Sequence, residues 1–399
     1  METREVKLGN IATVKGGKRL PKGTSLITTP NNHPYIRVRD LNGRRTLELD
    51  SSFEFVDDET QKTISRYIVN AGDIVLSIVG TIGLVAIVGK SLDKANLTEN
   101  CVKLASLTGI DRDYLYYFLK SSFGQQEIAR GTVGAVQAKL PIKNIQDITI
   151  PLPDEFTQRK IAAILDSMDE KIETNQKIND NLEQQVQAYF QELFVDNADP
   201  AWTLGTISDL GTVVGGSTPS KSKPEYYTED GIAWITPKDL SINKAKFISH
   251  GENDITELGL KNSSASIMPE GTVLFSSRAP IGYIAIASGE VTTNQGFKSV
   301  VPKPEIGTAY VYCFLKHNLP VIEGMASGST FKEVSGSTMK NVPAVIPDSE
   351  TLTCFNDFCA PIFAHQRILE EQNQSLAALR DSLLPKLMSG EIDVSAIQL

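Results

Sequence analysis

Two textures of hydrophobic patterning alternate along the chain. In the first, short apolar runs rich in Val and Ile are broken by Gly, Pro and charged residues. Ile74–Gly89, IVLSIVGTIGLVAIVG, is sixteen residues without a charge. That is short of the ~20 residues a spanning helix needs. A near copy, TVLFSSRAPIGYIAIASG from Thr272, carries Arg278 and Pro280 in its middle. Both copies therefore predict two buried β-strands around a Gly or Pro turn. DYLYYFLKSSFGQQEIAR, Asp113–Arg130, reads as the helix of the first copy.

In the second texture, residues 155–194 contain no Gly or Pro. Ile161, Leu165, Met168, Ile172, Asn175, Asn179, Leu182, Val186, Tyr189 and Leu193 follow spacings of four and three. That is a heptad seam with polar Asn175 and Asn179 at its middle. At ~1.5 Å per residue the helix is about 58 Å long. From Asp357 the pattern returns through Ile362, His365, Leu369, Gln372, Leu376, Leu379, Leu383 and Leu387, again polar in the middle. Mirrored polar positions suit antiparallel pairing of the two helices and would fix its register. Separate packing of each helix on its own globular part is the alternative. His365, on the seam, is expected to be packed and hydrogen-bonded.

The textures repeat. IGLVAIV at Ile82 and IGYIAIA at Ile281 share four of seven residues, 199 positions apart. YIRVRDL at Tyr35 matches WITPKDL at Trp234, and AGDIVLS at Ala71 matches EGTVLFS at Glu270, with the same offset. TENCVK at Thr98 pairs with TNQGFK at Thr293, and YYFLKSS at Tyr116 with YCFLKHN at Tyr312. This is a duplication of whole domains, not a short-period solenoid. The expected fold is α+β: two similar heads of short β-strands and few helices, 1–150 and 200–345. Two long helical segments, 151–199 and 346–399, separate them as an antiparallel coiled coil with a pseudo-twofold repeat.

Composition is that of a soluble globular protein, with 41% hydrophobic and 22% charged residues. Four Cys argue for a reducing, cytoplasmic setting, and Met1–Asn10 carries no apolar leader core. The net charge of −9 is unevenly spread. Residues 1–150 hold 20 basic and 16 acidic side chains, whereas 151–199 hold 4 and 11. Lys7 to Arg45 contains nine basic residues and only one acid, Asp40. Screening limits the reach of charge to about 8 Å at physiological salt, so such a patch can bind phosphate despite the whole-chain charge.

Catalytic signatures are near misses. GLVAIVGKS at Gly83 resembles a P-loop but has five residues between its glycines, and its twin lacks the Lys-Ser. NNHPYI at Asn31 departs from the Asn-Pro-Pro-Tyr motif of amino-methyltransferases at His33. No metal-ligating Cys or His spacing and no nucleophile motif occurs, so neither a catalytic residue, a metal nor a cofactor is expected. A duplicated chain without catalytic apparatus is most simply a binding protein with two reading heads.

The closing run LRDSLLPKLMSGEI (Leu379–Ile392), PEGTVLFSSRAPIGYIAIA with TNQGFK, and GGSTPSKSKPEYY with GIAWITPKDL resemble the specificity subunits of type I restriction–modification systems. IPLPDEFTQRKIAAILDSMDEKI (Ile150–Ile172) is similar to that family's central conserved region. The resemblance covers the whole chain and implies a non-catalytic subunit of an adenine-specific methyltransferase and restriction complex. Each head would then bind one half of a bipartite double-stranded DNA target. The helices would set the spacing and dock two modification subunits, through Ile161, Leu165, Met168, Ile172, Leu182, Val186, Ile362, Leu369, Leu376, Leu379 and Leu383. Restriction subunits would complete the assembly, with no membrane involved. The first copy has KGGKRLPKG where the second has GGSTPSKSKP, which leaves its target open.

For DNA contact the first head offers Lys15, Lys18, Arg19 and Lys22 on a Gly- and Pro-punctuated loop, with Arg37, Arg39, Arg44 and Arg45. Glycine lets backbone approach a phosphate closely, and Arg reads guanine edges. The second offers Ser217, Thr218, Lys221, Lys223, Lys238, Arg278 and Lys332. Simple turn chemistry competes as an explanation for Ser217 and Thr218. The rivals are a stand-alone two-headed DNA-binding regulator, a self-sufficient restriction or methylation enzyme, and a coiled-coil scaffold whose heads bind protein.

Overall fold

The computed structural model describes residues 3–41, 43–134, 136–328 and 332–395. It has two compact units, Met1–Glu173 with Gln374–Leu399, and Thr174–Asn373. The fold is α+β, and the head in each unit is built on the same plan.

In the first unit a five-stranded sheet runs in the order Thr13–Gly16, Cys101–Ala105, Ile74–Ser77, Val85–Val88, Thr46–Leu47. Ile74, Leu76, Val85 and Ile87 join one core with Tyr114–Leu119. Val75, Ala86 and Val88 face a second core with Ile36, Leu47 and Leu97. Side chains alternate across a strand, so a sheet covered on both faces must be apolar at every position. That explains the sixteen uncharged residues. The expected helix over Asp113–Arg130 is two helices, Arg112–Lys120 and Ser122–Gly131. Ser121 between them is extended, and its hydroxyl accepts from Gly124 N, capping the second helix.

In the second unit the order is Gly211–Gly215, Lys298–Pro302, Val273–Ser277, Ile281–Ala287, Phe247–Ile248. The duplication extends to single bonds. Ser77 Oγ donates to Thr81 O at 2.6 Å, and Ser276 Oγ donates to Pro280 O at 2.9 Å. Asp40 accepts from Arg37 N and Asp239 from Thr236 N, both at 2.7 Å. Gly83 in its turn and Gly282 at the start of the strand Ile281–Ala287 hold φ of +93° and +94°, a conformation that favours glycine. Each head also opens and closes on one antiparallel pair: Arg4–Lys7 with Thr149–Leu152, and Thr203–Thr206 with Pro343–Ile346.

The long helices are Glu155–Gln191 and Ser349–Ser389, of 37 and 41 residues. In the first unit Ile161 and Leu165 share a core with Leu384, Leu387 and Met388, and Arg380 meets Asp169 at 2.5 Å. In the second, Asn175 Nδ2 donates to Asn373 Oδ1 at 2.9 Å, and Gln366 Nε2 donates to Asn179 O at 3.1 Å. Numbers rise on one helix as they fall on the other, so the pairing is antiparallel.

Three seam expectations differ from the structure, the first being Gln372, which is exposed. Leu379 is 47% exposed, while Arg380 beside it turns inward to Asp169. His365 is exposed and Gln366 takes the inner position instead. Of the other seam residues, Ile161, Leu165, Val186 and Leu369 are buried; Met168, Ile172, Leu182, Ile362, Leu376 and Leu383 are half-buried.

Candidate nucleic-acid interface

Strand register gathers the loops of each head at one end of its large sheet. Gly16 faces Val102 and Ser77 faces Cys101, so residues 17–22, 78–83 and 98–100 leave the sheet together. Gly17 N donates to Cys101 O at 3.0 Å and Lys18 N to Leu97 O at 2.8 Å. A Cβ on Gly17 would lie 2.1 Å from Thr98 O, so only glycine permits this approach. Tyr35 Oη donates to Lys18 O at 2.7 Å and fixes the loop from behind. The second head repeats the device. Ser217 N donates to Thr293 O, Trp234 Nε1 donates to Ser217 O, and a Cβ on Gly216 would lie 2.0 Å from Asn294 O.

A hairpin joins each sheet end. Val133 and Lys139 exchange backbone hydrogen bonds of 2.8 and 2.9 Å, and Leu140 N donates to Ile78 O. In the second head Ser327 and Glu333 exchange bonds of 3.1 and 2.9 Å, and Val334 N donates to Ser277 O. Ala135 and residues 329–331 lie outside the described residues.

The candidate side chains divide by placement. Lys15, Lys18, Arg19 and Lys22 are exposed on the sheet end and the loop leaving it. Arg19 is 81% exposed and pairs with Glu99 at 2.6 Å; Lys18 Nζ stands 5.5 Å from the Tyr67 ring centroid. Burial pushes the Glu99 carboxyl up, but Arg19, its own backbone amide and Thr98 outweigh this and hold it below its usual range. Arg39, 60% exposed, reaches Glu54 at 3.0 Å, and Arg44 reaches Asp50 at 3.4 Å. Arg37 is turned in on Glu54 and Asp40, with Nε and Nη2 buried and lacking hydrogen-bond partners. Arg45 stands apart. It is 12% exposed and lies 2.6 Å from Asp113 and 2.7 Å from Asp166 of the central helix. Burial lifts Asp166 to about 6, against the pull of Arg45.

In the second head Ser217 and Thr218 lie on the sheet-end loop, with Thr218 Oγ1 bonded to Gln295 Oε1. Lys221 and Lys332 are exposed; Lys223 pairs with Glu225 at 3.6 Å and Lys238 with Glu252 at 2.5 Å. Arg278 meets Glu333 at 3.5 Å, and Lys298 meets the same carboxylate at 3.7 Å. Sequence reasoning missed Glu99, Lys298 and Glu333, because only the sheet register brings them beside the basic loops. Among the described residues no His, Cys, Asp and Glu group is arranged to hold a metal ion, and no helix is long and apolar enough to cross a membrane.

Comparison with known proteins matches residues 1–184 and 201–371 to the type I restriction modification DNA specificity domain. The chain is 40% identical over 191 residues to the type I restriction enzyme MjaIX specificity subunit of Methanocaldococcus jannaschii, covering 46% of this chain and 44% of that one. It is 24% identical over 330 residues to the HindI specificity subunit of Haemophilus influenzae, covering 64% and 71%. The match thus spans under half the length of the MjaIX subunit. A type I restriction–modification S subunit from M. genitalium has the same fold, with a TM-score of 0.58 at 17% identity over 97% of this chain and 96% of that one.

Proposed function

Because this chain belongs to the type I restriction–modification DNA specificity family, we propose that each head reads one half of a bipartite double-stranded DNA target. The observation that carries this reading is the repeated sheet end: one backbone frame, used twice, presenting different side chains. A frame fixed by glycines and main-chain bonds holds position while its loops vary in sequence. Half-sites of different sequence need that combination.

The first head contacts DNA through Lys15, Lys18, Arg19 and Lys22, with Arg39 and Arg44 flanking them. Arg45 drops out of this set because its guanidinium is committed to Asp113 and Asp166. Arg37 supports Asp40 and Glu54 and serves the loop frame. In the second head Ser217, Thr218, Lys221, Lys223, Lys238, Arg278 and Lys332 take the corresponding role. The helices set the spacing and dock two modification subunits, which bring the methyl donor and the catalysis; restriction subunits join that core. The chain itself supplies recognition. Its acidic helices keep the spacer from gripping phosphate indiscriminately, since like charges repel.

Replacing Lys15, Lys18, Arg19 and Lys22 together by Ala in the assembled methyltransferase tests this. The slope of log affinity against log salt becomes shallower by about 0.9 for each phosphate that is no longer neutralised. An unchanged affinity and slope would remove the first sheet end from the interface. Tight, site-specific binding by the purified chain without partners would favour a stand-alone regulator.

A further inference from the structure

The hairpin Val133–Lys139 contributes little to the core, yet it is firmly attached. Its base is closed by the paired bonds between Val133 and Lys139, and Leu140, fully buried, ties it to Ile78. Ile78 N in turn donates to Asn100 O at 2.8 Å, next to the Glu99 that holds Arg19. The finger therefore rises from the same sheet end as the basic loop. Gly134 turns the chain with φ of +100°, and a Cβ there would lie 2.6 Å from Gln137 O.

Val136 sits in this finger with a relative exposure of 103%, so the protein gives its side chain no cover. Turns of this kind favour Gly, Asn, Asp and Ser, and a β-branched apolar side chain contributes nothing to the turn itself. Lys139, exposed, flanks it, Arg130 nearby is exposed and paired with Glu127 at 2.6 Å, and the exposed Lys18 and Arg19 rise from the same sheet end. An apolar tip in a basic surround fits a partner that is anionic around a small apolar group. Duplex DNA presents one such group in the major groove, the 5-methyl of thymine.

We infer that the finger Val133–Lys139 enters the major groove and that Val136 contacts the 5-methyl group of one thymine in the first half-site. The inference rests on the DNA-reading function proposed above. The finger of the second head differs at its base: Arg278 and Glu333 form an ion pair where Val79 and Lys139 are bridged in the first. The two fingers thus offer different chemistry on the same support.

The test uses the chain assembled with its modification subunits, on the target established by methylation mapping. Each thymine of the first half-site is replaced in turn by deoxyuridine, which removes the methyl and leaves base pairing unchanged. At one position binding weakens about fourfold, the value of burying one methyl-sized group. Val136→Ala abolishes that thymine preference, and Val136→Thr, which keeps the shape, reduces it. The inference is overturned if no thymine responds, or if both variants keep the preference. Lys18→Ala with Arg19→Ala is the control. If that pair weakens binding while no thymine responds, only the Val136 contact fails. If the pair has no effect either, the sheet end itself is not the interface.

Discussion

Two buried cations occupy matched places on opposite heads. Arg45 O accepts from Ile87 N at 2.8 Å, and Lys246 O accepts from Ile286 N at 2.7 Å. Both side chains turn toward the central helix of their own unit, Arg45 to Asp166 and Lys246 to Glu183 at 2.7 Å. Lys246 also donates to Gln366 Oε1 at 2.8 Å, and its ammonium stands 3.5 Å from the Phe363 ring centroid. Burial raises the Glu183 carboxyl, but Lys246 and Lys316 prevail and bring it down to about 2. A carboxylate with a depressed folded pKa adds stability above its unfolded value of ~4.3, and that stability is lost as pH falls through the folded value. Glu183→Gln therefore destabilises the chain at pH 7, and the gap between variant and wild type closes as pH drops from ~4.5 toward 2. Denaturant midpoints across that range measure it; a constant gap would mean Glu183 acts by packing alone. Arg45 shows where the sequence stops being readable at this scale. It stands in a run of nine basic residues, and its partner Asp166 lies on another element. Nothing in the run says which cation faces inward.

At the scale of elements the long helices were the most readable part, and their errors have a cause. Helical repeats of 3.6 and 3.5 residues drift apart along a long seam. The drift is absorbed where polar side chains intervene: Arg380 takes the inward place beside Leu379, and Gln366 takes the place beside His365. The polar middle was predicted from Asn175 and Asn179 and is present as paired side chains and main-chain bonds. A buried polar layer costs stability and fixes register, which suits an element acting as a ruler. Inserting one heptad after Asn175 and a matching heptad before Asn373 lengthens that ruler by ~10.5 Å, roughly three base pairs. Methylation mapping then finds the same two half-sites with a longer gap. Altered half-site sequences would assign the helices to base reading and end their role as spacer.

At the scale of the molecule the duplication marks what is shared and leaves unmarked what is read. Strands such as Val85–Val88 and Ile281–Ala287 match because both faces of their sheets are covered, and a packed strand tolerates few substitutions. The sheet-end loops match only in the glycines and main-chain bonds that hold them, so KGGKRLPKG and GGSTPSKSKP share a frame without sharing side chains. The frame was therefore legible and the target was not, because base preference resides in side chains that the fold does not constrain. The same separation makes the heads exchangeable. Each is closed by one antiparallel pair, Arg4 facing Leu152 and Thr203 facing Ile346, so its two ends are neighbours. Replacing residues 203–346 by residues 4–152 keeps both junctions on like strands, with Arg45 in the place of Lys246 opposite Glu183. Because the cation survives the exchange, the grafted head retains a partner for the carboxylate. In complex with the modification subunits, such a chain directs methylation to sites carrying the first half-sequence twice. If the original second half-sequence persisted in the methylation map, specificity would have to lie in the helices.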